Sequence, residues 1–234
     1  MQHEAFYTGG EYLRRHPDWH AGDSPFKARQ VRRMLERNQL SPASVCEVGS
    51  GAGEILRELH DTLGPDVHYV GYDISPQAHE LAKPKASERL RFELGDVTKL
   101  DVHFDLMLVM DVIEHLEDYY GFLRAIRGKA AHAILHIPLD LSAQTVARPS
   151  LLLRKREEVG HIHYFSKETA LATLREAGYE PADYFLTAGS LELPPVSRKA
   201  GAARFPRRVL AAVSDDWAAR LLGGFSLLVL AKPV

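Results

Sequence analysis

The sequence predicts an α/β protein: a three-layer sandwich in which helices cover both faces of a mostly parallel sheet. Three observations carry this prediction. From residue 44 onward, short apolar runs alternate with amphipathic stretches, the rhythm of a parallel sheet with right-handed crossovers. The first run, Val45-Cys46-Glu47-Val48, passes directly into Gly49-Ser50-Gly51-Ala52-Gly53, and glycines at alternate positions let the backbone turn sharply and approach a ligand closely. The runs at 67–73, 89–94 and 104–110 each end on an aspartate or within two residues of one (Asp73, Asp96, Asp111), at the carboxyl ends of strands where open α/β sheets bind ligands.

The chain divides into an N-terminal helical extension or lid, 1–43, and an α/β domain, 44–234, with insertions at about 139–165 and 188–222. Residues 1–24 are rich in aromatics and breakers (Phe6, Tyr7, Gly9-Gly10, Tyr12, Trp19). Asp23-Ser24-Pro25 reads as a helix start, with a capping side chain and a proline in the first turn. The helix runs from Phe26 to about Asn38. Phe26, Val31, Met34 and Leu35 form its apolar stripe, and Lys27, Arg29, Arg32, Arg33 and Arg37 its polar side. Packed on the domain edge, it is a plain amphipathic helix. As a lid, the extension would turn Tyr7, Tyr12 or Trp19 toward a substrate.

Strand one spans 44–49 and its helix 53–63, after which Gly64-Pro65 breaks the chain. Strand two is 67–73, followed by a helix from Ser75-Pro76 to about Ala82. Strand three is 89–94 and ends at Gly95-Asp96. Strand four is 104–110 and ends at Asp111. A helix covers 117–127, and strand five, 131–137, ends at Pro138. Residues 139–165 read as less regular, with a basic block at Arg148 and Arg154-Lys155-Arg156. Ser166-Lys167-Glu168-Thr169 opens a helix that Gly178 stops. Strand six is about 180–187. A polar segment (188–206) and a helical stretch (207–222) precede a last strand, Phe225 to Ala231, whose unbroken apolar run places it inside the sheet.

Bulk properties bound the function. The 234 residues suffice for one α/β domain with small additions. A net charge of −2 gives no global attraction to nucleic acid and disfavours it as a partner. The single cysteine, Cys46, excludes an internal disulfide and a cysteine-rich zinc site, and its strand position reads as core. The N-terminus shows no basic segment with an apolar run, and the longest apolar stretch, 221–231, is about half the ~20 residues a membrane span needs. The expectation is a soluble cytoplasmic protein with no membrane span.

A strand followed by a glycine turn and a helix start is a nucleotide cradle, because free N–H groups at the helix start face the turn. A dinucleotide fingerprint would put a third glycine at position 54; Glu54 stands there, and Glu47 and Glu54 would repel a pyrophosphate. A nicotinamide-dependent oxidoreductase is therefore the weaker alternative.

The pattern Glu47-x-Gly49-x-Gly51-x-Gly53 instead resembles the first motif of class I (Rossmann-like) S-adenosylmethionine-dependent methyltransferases of the small-molecule type. Asp73, Leu94-Gly95-Asp96-Val97 and Met110-Asp111-Val112-Ile113-Glu114-His115-Leu116 fall at that family's next landmarks, and Gly160 to Gly178 resembles the stretch through its fifth helix. The resemblance covers about 44–187. It implies a seven-stranded sheet whose last strand is antiparallel, and S-adenosyl-L-methionine as cofactor, with S-adenosyl-L-homocysteine as product. It also implies a binding set of Glu47, Gly49, Ser50, Gly51, Asp73, Ile74, Asp96, Val97, Met110 and Asp111. That cofactor carries a sulfonium and an ammonium but no phosphate, so acids at the turn become favourable. Asp73 is placed for both ribose hydroxyls and Asp96 for the adenine amino group.

The reaction would be an in-line displacement at the sulfonium methyl, transferring it to an O or N atom of a small-molecule or saccharide acceptor. Position and exclusion of water are then the protein's main tasks. A hydroxyl acceptor needs a base. The candidates are His115, after strand four; His136, inside strand five and readable as a core residue; and His161 and His163. The last two alternate along an extended segment, point to opposite faces and are poorly placed to share a metal. No carboxylate–histidine cluster of ligand spacing is evident, so no metal is expected. Basic stretches at 148–156 and 198–208 (Arg198, Lys199, Arg204, Arg207, Arg208) read as solvated faces, or as clamps for an anionic acceptor. They also keep an RNA methyltransferase as an alternative.

Overall fold

The computed structural model describes residues 2–17, 19, 21–64, 66–194, 201 and 204–234. Arg198 and Lys199 lie outside the described residues. The chain opens with helices α1 (Gln2–Thr8), α2 (Glu11–Arg15) and α3 (Ser24–Arg37). Then follow β1 (Ser44–Val48), α4 (Glu54–Thr62), β2 (His68–Asp73), α5 (Pro76–Ala82), β3 (Leu90–Leu94), β4 (Phe104–Met110), α6 (Tyr119–Ile126) and β5 (Ala130–Pro138). The remaining elements are α7 (Ala143–Ala147), α8 (Ser150–Val159), α9 (Lys167–Glu176), β6 (Tyr179–Thr187), α10 (Gly189–Glu192), α11 (Arg204–Val213), α12 (Asp215–Leu222) and β7 (Ser226–Pro233).

The seven strands form one sheet in the order β3-β2-β1-β4-β5-β7-β6. Pairings among β1 to β5 are parallel, with Val45 beside Tyr69 on one side and Leu106 on the other. Strand β7 runs antiparallel to both neighbours, Leu135 facing Val229 and Phe185 facing Leu228. The apolar final strand therefore lies inside the sheet, as its composition predicts.

Period-2 alternation divides the core. Val45, Leu106, Leu108, Ile134 and Leu228 pack on one side with Val31, Met34 and Leu35 of α3 and Leu56 and Leu59 of α4. Cys46, Val48, Met107, Val109, Leu135 and Val229 pack on the other with Leu123 of α6 and Leu174 of α9. Both faces are covered, which is why the central strands read as continuous apolar runs. Strand order reverses between β1 and β4, so the turns after these two strands flank the crevice where such sheets take ligands.

Three expectations are corrected. Residues 139–165 contain two helices, α7 and α8; Ser142 caps the first through a capping box with Thr145. The stretch 207–222 is two helices, because the Ser214 side chain caps Trp217 N–H and starts α12 afresh. Asp23 occupies the N-cap of α3 but makes no side-chain cap bond. Among the described residues, no helix is long and apolar enough to cross a membrane.

Candidate active site

At the carboxyl ends of β1 to β4 the chain encloses a cavity of about 1170 Å³. The glycine turn, Asp73, Ile74, Asp96, Val97, Met110 and Asp111 line it, as does Glu47, so the predicted cofactor set comes together around one space. Tyr7, Tyr12 and Trp19 reach it from the N-terminal segment.

The turn is shaped by backbone conformation. Gly49, Gly51 and Gly53 have φ of 69°, 54° and 78°, in the left-handed region that side chains disfavour. A Cβ on Gly51 would lie 2.7 Å from the Trp19 ring, and one on Gly53 2.4 Å from the Phe92 ring. Asp73 braces the turn: one oxygen accepts the Gly51 N–H at 2.8 Å and the other the Ser75 N–H at 2.8 Å. Burial still wins over these bonds and raises the Asp73 carboxyl above its ordinary range. Each oxygen keeps further acceptor capacity for a ligand hydroxyl.

Glu47 is 1% exposed, and its Oε2 has no hydrogen-bond partner among the described residues. Burial pushes its carboxyl up to about 8, opposed by nearby Lys27 and assisted by Asp73. Glu54, by contrast, is ion-paired to Arg57 at 2.6 Å and Lys85 at 3.3 Å, which hold it below its usual range despite partial burial. Asp96 caps the turn Val97–Lys99, accepting the Thr98 N–H at 3.0 Å and its hydroxyl at 2.6 Å, with Lys99 3.1 Å away.

Asp111 follows β4 in the left-handed region, φ 57°. Its Oδ2 is 2.7 Å from Lys27 Nζ and its Oδ1 2.5 Å from His136 Nδ1. Burial alone would raise this carboxyl, but His136 and Lys27 more than offset that and hold it well below the usual range. The assignment of Lys27 to the solvent side of α3 is thus corrected. It stands four residues before Val31 and seven before Met34, so helical period puts it on the buried stripe. That was the signal available in the sequence.

The four candidate bases separate. His136 is buried, with Nδ1 on Asp111 and Nε2 2.9 Å from Thr187 Oγ1, and it does not line the cavity. His163 turns Nε2 to the Leu116 carbonyl at 2.9 Å and packs edge-on against Tyr119, also away from the cavity. His115 and His161 do line it. His115 Nδ1 is 2.8 Å from the Tyr7 hydroxyl and 3.1 Å from the Gly160 carbonyl oxygen. His161 Nδ1 is 2.6 Å from Asp140 Oδ2, and Lys155 pairs with the other oxygen of Asp140.

The two rings meet edge-on, 4.9 Å between centroids, and Glu114 lies beside them, 1% exposed, with neither carboxylate oxygen hydrogen-bonded among the described residues. Burial, and then the charge of Asp111, raise its carboxyl well above the usual range. The structure therefore brings together a carboxylate–histidine cluster that sequence spacing did not reveal. Asp140 was also missed, although it lies just past the end of β5, one residue beyond Leu139, and extends the series of acids at strand ends. Of the basic stretches, Arg154 and Lys155 reach the cavity, each paired with an acid. Arg207 donates to the Leu222 and Gly223 carbonyls at the end of α12.

Residues 19–183 match a family model described as a methyltransferase domain. The ubiquinone biosynthesis O-methyltransferase, mitochondrial, of Schizosaccharomyces pombe is 37% identical over 102 residues, 40% of this chain and 36% of that protein. Ajmaline N-methyltransferase of Rauvolfia serpentina is 31% identical over 114 residues, 43% of this chain and 38% of that protein. The match thus spans less than half the length of either relative. Magnesium protoporphyrin IX methyltransferase from Synechocystis PCC 6803, solved with bound SAH, has a similar fold. Its TM-score is 0.62 at 16% identity, covering 100% of this chain and 98% of that one.

Proposed function

The chain belongs to the methyltransferase-domain family, and we propose that it moves the methyl group of S-adenosylmethionine onto an oxygen or nitrogen of a small-molecule acceptor. The observation that carries the cofactor reading is Glu47. A buried carboxylate with an unpartnered oxygen, beside a glycine turn, suits a ligand that brings an ammonium and no phosphate. Lys27, which also lines that space, is already committed to Asp111.

On this reading Glu47 takes the cofactor's ammonium, while Gly49, Ser50 and Gly51 let its backbone-facing side come close. Asp73 accepts ribose hydroxyls, and Asp96 with Val97 holds the adenine. The cofactor supplies a methyl already activated by a positively charged sulfur. The protein's residues then fix the acceptor in line and keep water away. Tyr7, Tyr12 and Trp19 close the cavity from the N-terminal side, and His115 and His161, which line the same cavity, face the acceptor. A small-molecule acceptor is supported by two relatives named for ubiquinone biosynthesis and for ajmaline, and by a net charge of −2.

Calorimetric titration with S-adenosylhomocysteine and, separately, with NADH tests the reading. Binding of the former alone is the expected result. Binding of NADH alone overturns it. A mass-spectrometric screen for products 14 Da heavier, a methylene's mass (~14), then identifies the acceptor.

A further inference from the structure

We propose that Glu114, His115 and His161 form a binding site for a divalent transition-metal ion, zinc or a close relative, on the acceptor side of the cavity. Glu114 Oε1 stands 3.8 Å from His115 Nε2 and 4.0 Å from His161 Nε2. One donor atom from each of the three side chains lies within 4.8 Å of the others. A tetrahedral site with ligand bonds near 2.0 Å holds its donors about 3.3 Å apart. Side-chain rotations that close the two Glu–His edges by about 0.5 and 0.7 Å, and the His–His edge by up to about 1.5 Å, bring the set to that spacing.

Both imidazoles are held from behind. His161 Nδ1 lies 2.6 Å from Asp140 Oδ2, and His115 Nδ1 lies 3.1 Å from the Gly160 carbonyl oxygen and 2.8 Å from the Tyr7 hydroxyl, which can itself donate to the Val159 carbonyl at 3.3 Å. A proton on each Nδ1 turns both Nε2 lone pairs toward Glu114. This is how metal-ligating histidines are fixed, with the far nitrogen donating to a carboxylate or a carbonyl.

Glu114 is the second, independent observation. Its carboxylate is buried, and neither oxygen has a hydrogen-bond partner among the described residues, an arrangement that costs free energy unless a cation arrives. The chain also clamps this residue in place. The N–H groups of Ile162 and His163 both donate to the Glu114 carbonyl, at 2.9 and 3.1 Å, and this lays the 161–163 segment across the turn after β4. His161 then falls to the cavity side and His163 to the other.

Two imidazoles and one carboxylate suit zinc and neighbouring transition ions better than calcium or magnesium, which favour all-oxygen sets. Three protein ligands leave a position open, and His115 and His161 line the cavity, so that position faces the acceptor space. If the methyltransferase reading holds, a hydroxyl acceptor fits there. Its O–H bond breaks with the proton passing to solvent, the oxygen's electron pair forms the new bond to the methyl carbon, and the methyl–sulfur bond breaks with its pair left on the neutral thioether of S-adenosylhomocysteine.

The test uses the full-length protein, stripped with a chelator and titrated with zinc alone by calorimetry and cobalt(II) alone by visible absorption. One equivalent and cobalt ligand-field bands are expected. Glu114→Gln and His161→Gln should each raise the zinc dissociation constant about 100-fold or more, and Asp140→Asn about 10-fold. His163→Gln should leave it unchanged. No uptake by wild type at ~1 mM zinc, or uptake indifferent to both Glu114→Gln and His161→Gln, overturns the proposal. Melting curves without metal identify a variant that has lost its fold; wild-type stoichiometry and the remaining variant then decide. Zinc uptake without S-adenosylhomocysteine binding would keep this site and sink the cofactor reading; the reverse result would do the opposite.

Discussion

Lys27 Nζ sits 2.7 Å from Asp111 Oδ2, and this contact fastens the N-terminal extension to the turn after β4. Both side chains are largely withdrawn from solvent, and His136 holds the second oxygen of the same carboxylate. Removing one partner of a buried pair leaves the other charge uncompensated. Lys27→Met should therefore cost about 2–4 kcal/mol of stability, short of the upper range because His136 still supports Asp111. Urea denaturation measures it. A loss within about 0.5 kcal/mol, typical of an exposed pair, would show that the contact fastens nothing.

Glu47 makes stability depend on pH in a definite direction. Burial lifts its carboxyl from 4.5 to about 8, so the folded state prefers it neutral. Its stabilising contribution is full below the unfolded value, fades as pH rises through the folded one, and is gone above it. Glu47→Gln has no such titration. Its melting temperature relative to wild type should rise between about pH 4.5 and about pH 8 and then level off. A cofactor ammonium favours the ionised form, so S-adenosylhomocysteine binding should tighten over the same window and release a proton, seen as a buffer-dependent heat. A flat difference between wild type and Glu47→Gln across the window removes Glu47 from both roles.

Asp73 braces the glycine turn and, on the proposed reading, accepts ribose hydroxyls; one substitution separates the two roles. Its oxygens accept the Gly51 and Ser75 N–H groups, and the residue lines the cavity. Asp73→Asn should weaken S-adenosylhomocysteine by about 1.5–3 kcal/mol, the worth of hydrogen bonds to a charged acceptor. It should also lower the melting temperature, because an amide nitrogen cannot accept from both N–H groups. Lost stability with unchanged affinity would make Asp73 a brace of the turn alone.

The parts of this site that could be read from sequence are those set by local pattern. Apolar alternation located β1, β2 and β4, and the glycines and aspartates at their ends converge because parallel strands bring their carboxyl ends to one edge. Lys27 was misread because arginines on the neighbouring positions made the whole polar arc look solvated, although its period matches Val31 and Met34. The grouping of Glu114 with His161 was hidden for a different reason. They lie 47 positions apart (161 − 114), and the path between passes through α6, β5, α7 and α8. What closes that path is a pair of backbone bonds to the Glu114 carbonyl, which no spacing rule encodes.

Trp19 packs on the glycine turn closely enough to forbid a Cβ on Gly51, and its ring meets Tyr12 edge-on at 4.8 Å between centroids. The N-terminal aromatics therefore cover the glycine-turn side of the cavity, and a ligand entering beneath them must change the surroundings of Trp19. The chain has two tryptophans, and the other, Trp217, is 58% exposed on α12. In Trp217→Phe, which leaves Trp19 alone, S-adenosylhomocysteine should shift the emission maximum and quench or enhance its intensity. In Trp19→Phe the same titration should leave emission flat while calorimetry still reports binding, weakened by the lost ring contact. The opposite pattern, a silent Trp19 with unaltered affinity, would mean that the extension is an edge helix set beside the site rather than a cover over it.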